Sequence, residues 1–130
     1  MGELMRTTPK WLAGTAALAA GLASSAAAHH SVARFDRSNP IAVTGTVKQF
    51  IWSNPHTWIY VMVPNGKGGT DEWDLEGPAV NGLARGGWKI DTLKPGMKVR
   101  LKVSPRRDGQ IGGEFTSVLQ LNDKPFVVQR

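Results

Sequence analysis

The segment from Gly45 to Val61 constrains the fold more than any other part of the sequence. Two runs rich in apolar and β-branched residues flank the tripeptide Asn54-Pro55-His56. Proline fixes φ, lacks an N–H and disfavours helical backbone in the residue before it, so the tripeptide predicts a turn between two β-strands. The turn would present His56, one of three histidines in the chain, at the end of the first strand.

The first 28 residues resemble a secretory signal peptide. They combine a weakly basic start, an apolar run from Trp11 to Leu22 and a series of small residues that ends at Ala28. We expect cleavage after Ala28, which would make His29 the first residue of the mature chain and His30 the second. The alternatives are a cut one residue earlier and retention as a membrane anchor, because residues 11–28 just reach the length of a span. The chain has no Cys, so the exported domain would have to be stable without disulfides.

Cleavage would leave 102 residues, which is enough for one domain. The leader holds two basic residues and one acidic residue, so the formal net charge would change from +6 to +5. This modest positive charge is typical of a solvated surface or of attraction to an anionic cell envelope. We expect a periplasmic or secreted protein without a nucleic-acid partner and without stable membrane insertion after cleavage.

The mature chain reads as a short arm followed by a mainly β domain. Residues 29–40 are polar and irregular, which indicates an N-terminal arm, and the domain would occupy residues 41–130. The predicted strands are 41–52, 57–63, 71–76, 97–104 and 114–121, with a short sixth strand at 126–128 and one helix at 78–85. The order of three strands, a helix and two strands predicts a small OB-like barrel of five to six strands, in which the helix fills the gap between strands 3 and 4.

Two strands carry patterns that predict the direction of their side chains. In the first strand, strict alternation places Ile51 on the same face as Val47 and places Phe50 on the opposite face. The third strand places three carboxylates on one face, which we interpret as a solvated face rather than a hard-cation site. Cations on a later strand would neutralise it. The carboxylates are Glu72, Asp74 and Glu76, and the cations are Lys98, Arg100 and Lys102.

Several short motifs resemble those of an uncharacterised family of small exported bacterial proteins. They are His29-His30-Ser31, Gly45-Thr46-Val47, the segment Trp52–Trp58 with its Asn-Pro-His-Thr-Trp sequence, Glu72-Trp73, Glu76-Gly77-Pro78, Gly87-Trp88 and Leu93-Lys94-Pro95-Gly96. The resemblance covers nearly the whole mature chain, and it implies an envelope location and a compact β domain. It implies no activity, so the function has to be argued from the chemistry of the side chains.

A histidine at the mature amino terminus suggests a copper site. The α-amine and imidazole of His29 can chelate one ion, and a remote imidazole completes a three-nitrogen set that suits Cu(II). This set resembles the histidine brace of copper oxygenases and of some periplasmic copper carriers. His56 is the candidate remote ligand, and His30 is a competing or supporting group. Trp52 and Trp58 flank the turn as candidates for the wall of the site or for core packing.

Other interpretations of these histidines remain open at this point. Zinc is the alternative metal because it also accepts imidazole. A terminal His-His pair binds copper weakly in almost any peptide, and His56 could simply hydrogen-bond its own turn. If the site is real, we expect metal carriage or delivery to a partner protein of the envelope.

A metal-free binding module is the alternative function. OB barrels bind oligonucleotides or oligosaccharides on the face of strands 2 and 3 and through the adjacent loops. An anionic ligand, a saccharide or a protein partner would stack on exposed aromatic residues and contact two arginines. The candidate aromatic residues are Phe50, Trp52, Trp58 and Tyr60, and the arginines are Arg106 and Arg107.

Catalysis is less expected than binding. The sequence has no Cys nucleophile, no Ser-His-Asp arrangement and no zinc-protease motif. Copper oxygenation is the only chemistry that these residues suggest, and 102 residues would offer little surface for a large substrate.

Overall fold

The computed structural model describes residues 33–126 of the chain. The chain divides into two units, Met1–Ala33 and Arg34–Arg130, and the strands and the helix within residues 33–126 belong to the second unit. These elements are β1 (Ile41–Ile51), β2 (Trp58–Pro64), β3 (Thr70–Glu76), α1 (Val80–Arg85), β4 (Lys98–Pro105), β5 (Gly113–Leu121) and β6 (Lys124–Pro125). Within the same range, no helix has the length and apolar character that a membrane crossing requires.

Five of the strands form a ring. β1 pairs antiparallel with both β2 and β4, while β3 adds to β2 and β5 adds to β4. A parallel pairing of Leu75 and Glu76 in β3 with Gly113 and Glu114 in β5 closes the ring. The short helix lies between β3 and β4 in the chain. The architecture is therefore the mainly β, OB-like barrel that the order of elements predicts.

The interior of the ring is filled by the inward residues of every strand from β1 to β5. The buried apolar side chains of the barrel are Val43, Val47, Ile59, Val61, Leu75, Leu83, Leu93, Val99, Leu101, Val103, Phe115 and Val118. Trp88 packs against this core with its ring centroid 6.0 Å from that of Phe50, 6.1 Å from that of Phe115 and 5.5 Å from that of Phe126. Because the core is continuous, it provides a rigid support for the loops at the ends of the strands.

A register shift in β1 reverses the alternation that the sequence predicts. The shift lies between Val47 and Gln49 in the pairing with β2. After it, Phe50 lies opposite the fully buried Ile59 and packs against the core, while Ile51 lies on the outer face. The predicted directions of Phe50 and Ile51 are wrong because one extra residue in a strand moves every later side chain to the other face.

Gly45 allows β1 to approach β2 closely. A Cβ atom there would lie 2.6 Å from Val61 Cγ1 and closer still to the Met62 carbonyl oxygen. No other residue fits this contact without moving the strand, so Gly45 permits the bend in β1 as the sequence predicts. The outer face of β2 is less covered than its apolar sequence predicts, because Trp58, Tyr60 and Met62 are only half-buried.

The segment before β1 lies against the turn between β4 and β5. Phe35 is buried and forms an isolated β-bridge with Arg106. The Arg107 N–H donates to the Arg34 carbonyl at 2.9 Å, and the Asp36 N–H donates to the carbonyl of β4's last residue at 2.8 Å. A bidentate contact from Arg37 to Glu114, at 2.7 and 2.8 Å, raises the pKa of Arg37. Backbone and side-chain contacts thus fix residues 34–37 at this end of the barrel.

The sixth strand is displaced from its predicted position. β6 comprises Lys124–Pro125 and pairs with the end of β5, whereas the prediction placed it at 126–128. Asn122 and Asp123 have positive φ and form the tight turn between the two strands. These residue types tolerate left-handed backbone, so the chain reverses earlier than the apolar pattern indicates.

Candidate functional site

The turn between β1 and β2 holds His56 in a defined backbone conformation. The Asn54–Pro55 peptide bond is cis. The Ser53 hydroxyl donates to the His56 carbonyl at 2.9 Å, and the Asn54 side chain accepts a hydrogen bond from the Val80 N–H at 3.1 Å. The turn is therefore attached to the start of α1.

Thr57 ties this turn to the end of β3. Its buried hydroxyl and its N–H both donate to the Pro78 carbonyl, at 2.8 and 3.1 Å, and its carbonyl accepts from the Gly77 N–H at 2.8 Å. A Cβ at Gly77 would lie 2.5 Å from the Thr57 Oγ1 and closer still to the Phe115 ring. The Asn-Pro-His-Thr-Trp and Glu-Gly-Pro sequences, 20 residues apart in the chain, therefore form one rigid unit.

The His56 ring is oriented by this unit through one nitrogen. Its Nδ1 lies 3.1 Å from Glu76 Oε1 and 3.2 Å from the Gly77 carbonyl oxygen. Both partners are acceptors, so Nδ1 carries the hydrogen and the lone pair of a neutral ring resides on Nε2. Metal-bound histidines commonly have the same arrangement, in which a carboxylate fixes the tautomer and the direction of the ring.

Burial separates the two members of this pair. The Glu76 side chain is 9% exposed, whereas that of His56 is 42% exposed. Arg34 lies on the other side of the carboxylate, with its Nη1 3.9 Å from Glu76 Oε2. This second contact is long and the Arg34 side chain is half-exposed, so His56 is the principal partner of Glu76. A buried carboxylate that carries an accessible imidazole is suited to holding a cation at Nε2.

A protein-family comparison places this unit in a wider context. A family model matches residues 17–115, a range that includes the turn, Glu76 and most of the barrel. The chain belongs to this family, a family of unknown function (DUF6152). Neither curated proteins nor solved structures give a significant match. The candidate site of this DUF6152 protein therefore has to be judged from its own geometry.

The residues proposed from the sequence occupy different places in this DUF6152 domain. His29 and His30 lie outside the described residues. Trp52 packs edge-on against Phe50, with 5.7 Å between the ring centroids, and so belongs to the aromatic packing around the core. Trp58 is half-buried on the outer face of β2, in register with Glu76 of β3. Of the two indoles, Trp58 is the one in the row of the His56 carboxylate.

The carboxylates of β3 have other partners than the sequence predicts. Glu72 pairs with Lys48, Asp74 pairs with Arg106, and Glu76 contacts His56 and Arg34. The predicted cations lie on β4, which does not pair with β3, because β1 and β2 intervene on one side of the ring and β5 on the other. The prediction of a solvated face is also wrong for Glu76, which is buried.

Arg106 and Arg107 are engaged within the domain. The Arg106 guanidinium is largely buried against Asp74, and the Arg107 side chain donates to the Phe35 carbonyl at 3.2 Å and lies 3.7 Å from Asp36. Both arginines therefore hold the segment 34–36 and the β4–β5 turn together. Neither presents an unengaged guanidinium to an anionic ligand.

The sequence does not reveal all members of the site. Glu76 appears in it only as part of the Glu-Gly-Pro motif, and Arg34 lies in an irregular segment without any pattern. Among residues 33–126, no group of three or more His, Asp or Glu side chains could hold a metal ion. A metal ion at His56 would therefore need a ligand from beyond this range.

Proposed function

We propose that this protein is an exported copper carrier. In this proposal, removal of residues 1–28 exposes His29, whose α-amine and imidazole bind Cu(II) together with Nε2 of His56. One observation carries the proposal: the buried Glu76 engages Nδ1 of His56 and leaves Nε2 of a half-exposed ring as the available donor. Zinc is the alternative metal, and His30 is a supporting or competing ligand.

The length of the chain before Arg34 is compatible with this site. Arg34 approaches the same carboxylate that orients His56. His29 is five residues earlier, and five residues span at most about 18 Å. The N-terminal residue can therefore reach the neighbourhood of His56 without a change in the barrel.

The charge of Glu76 would favour a bound cation. A carboxylate on the far nitrogen makes an imidazole more basic and stabilises the positive charge that a metal brings to the ring. Loss of such a partner typically lowers metal affinity by about 10- to 100-fold. Since copper competes with protons for the amine and the imidazoles, affinity should fall as the pH is lowered.

Copper titration of the processed protein tests the proposal. Mass spectrometry of the exported protein first identifies its N-terminal residue, which should be His29. Competition titration with a chelator then gives the Cu(II) affinity, and electron paramagnetic resonance reports the nitrogen ligands. Adding one Ala before His29, or replacing His56→Ala, should each lower the affinity by orders of magnitude.

A matched pair of variants isolates the role of the carboxylate. Glu76→Gln keeps the size of the side chain and removes its charge, so the affinity should fall about 10- to 100-fold. Glu114→Gln makes the same change in the carboxylate that pairs with Arg37, away from His56, and should leave the affinity unchanged. If the Ala-extended protein and His56→Ala both titrate like the parent, the copper site does not exist.

A copper carrier also needs an acceptor, which we propose to be another protein of the cell envelope. The accessible position of the His56 ring would allow ligand exchange without unfolding of the barrel. Transfer of copper to an acceptor in the periplasm or outside the cell would be the physiological step.

A further inference from the structure

The outer surface of the barrel has a groove that the copper site does not use. It lies where β1 passes between β2 and β4, and its volume is about 310 Å³. Thr44 and Thr46 of β1 line it, with Met62 and Pro64 of β2 along one side. Arg100 of β4 borders the other side. The groove thus combines hydroxyl groups, a small apolar wall and a cation.

The positive charge at this groove is not balanced by nearby carboxylates. Within residues 33–126, Arg100 and Lys102 form no ion pair, whereas every Glu and Asp from 72 to 76 has a cationic partner. Lys98 lies 3.7 Å from Asp123, but both side chains are more than 60% exposed, so this pair is weak. The cations of β4 are therefore available to an external anion.

The neighbours of Arg100 are uncharged hydrogen-bonding residues. In the pairing of β4 with β1, Arg100 lies opposite Thr44, and in the pairing with β5 it lies opposite Gln120. Lys98 lies opposite Thr46. Hydroxyl and amide groups on both sides of two cations are suited to a ligand that carries both hydroxyls and a negative charge.

We propose that this groove binds one ring of an anionic sugar. Its volume is at the lower end of the range of small-molecule sites, which is roughly 300–1,000 Å³, so a single ring is the appropriate size. Arg100 and Lys98 would pair with the carboxylate or phosphate, Thr44 and Gln120 would bond the hydroxyls, and Met62 would contact the carbon face of the ring. A membrane surface would be met by a convex basic patch, whereas these cations border a concave surface.

Titration with small sugars tests this proposal independently of copper. The metal-free protein in a chelator-containing, low-salt buffer is titrated with glucuronate and with glucose 6-phosphate, and binding is followed by amide chemical shifts. Glucose and inorganic phosphate serve as comparison ligands. We expect at least one anionic sugar to bind more tightly than either comparison ligand and to shift the resonances of Thr44, Thr46 and Gln120. The two anionic sugars distinguish a carboxylate ligand from a phosphate ligand.

Two matched variants identify the cation. Arg100→Gln should weaken binding by about tenfold or more, because it removes a charged hydrogen-bond donor. Arg85→Gln removes an exposed arginine at the end of α1, outside the groove, and should have no effect. His56→Ala should also leave sugar binding unchanged, which separates this proposal from the copper site.

Three results would overturn the proposal. Equal binding of inorganic phosphate and glucose 6-phosphate would indicate a simple anion site. Shifts outside the groove, or binding that Arg100→Gln leaves intact, would exclude the assigned residues. Arg100-dependent binding to vesicles of an anionic lipid, without binding of either sugar, would identify the surface as a membrane contact.

Discussion

Replacing Gly77 with Ala should destabilise the barrel, because the added methyl group has no space. The new Cβ would lie 2.5 Å from the Thr57 Oγ1 and closer still to Cε1 and Cζ of Phe115, whereas unstrained contacts of carbon atoms are about 3.5–4.0 Å. The Phe115 ring is buried beside Trp88, so it cannot simply move away. Gly77 is not among the glycines with positive φ, so the cost is steric and not conformational.

Overpacking of a core typically costs about 1–3 kcal/mol, and we expect the upper end of that range for Gly77→Ala. For a domain of this size, about 3 kcal/mol lowers the melting temperature by more than 10 °C. The control is Gly82→Ala within α1, where the nearest atom to the new Cβ is Pro78 Cβ at 3.5 Å. It should stabilise the protein by about 0.5–1 kcal/mol through helix propensity. Urea unfolding followed by tryptophan fluorescence measures both effects, and equal stability of Gly77→Ala and the parent would refute the steric argument.

Two further changes test the contacts around the site and the arm. Thr57→Val removes one of the two hydrogen bonds to the Pro78 carbonyl while the Thr57 N–H keeps the other, so the free energy of unfolding should fall by about 1 kcal/mol in urea titrations; a loss above about 3 kcal/mol would mean that the whole turn had separated from β3. The Asn39 side chain, with help from the Ser38 N–H and the charge of Arg107, lowers the pKa of Asp36, so this carboxylate stabilises the fold above its unfolded pKa and loses that contribution as the pH falls through the folded value. Asn39→Ala should raise the pKa of Asp36 in a carboxyl NMR titration and move the acid loss of stability to higher pH, and an unchanged titration would contradict the assignment.

Local sequence signals were sufficient to predict the architecture. Glycine and proline mark nearly every strand end, and alternation within β4 identifies its buried face without any knowledge of its neighbours. The register shift between Val47 and Gln49 could not be predicted in the same way, because it depends on where Phe50 finds space beside Ile59 in the assembled core. Strand order is a local property of the chain, whereas register is a property of the packed barrel.

The candidate site was predictable only in part for a related reason. His56 could be identified because it follows a proline in a turn between two strands. Its partner Glu76 lies 20 residues further along, and their contact depends on the pairing of β2 with β3. The same limitation explains the charge partners: opposite signs on β3 and β4 suggested a pairing that the ring order does not allow, and the arm supplied Arg34 instead.

The ring topology also keeps the two proposed sites independent. The groove lies beside Thr46, and His56 lies beyond Ile51 at the end of the same strand, about 16 Å further along at 3.3 Å per residue. This separation exceeds the screening length of about 8 Å at physiological ionic strength, so the charge of a bound copper ion would have little effect on an anion beside Arg100. The sites share no side chain, and substitutions this far apart usually have additive effects. A single barrel can therefore hold a cation at one end of β1 and an anion on its outer face without either ligand opposing the other.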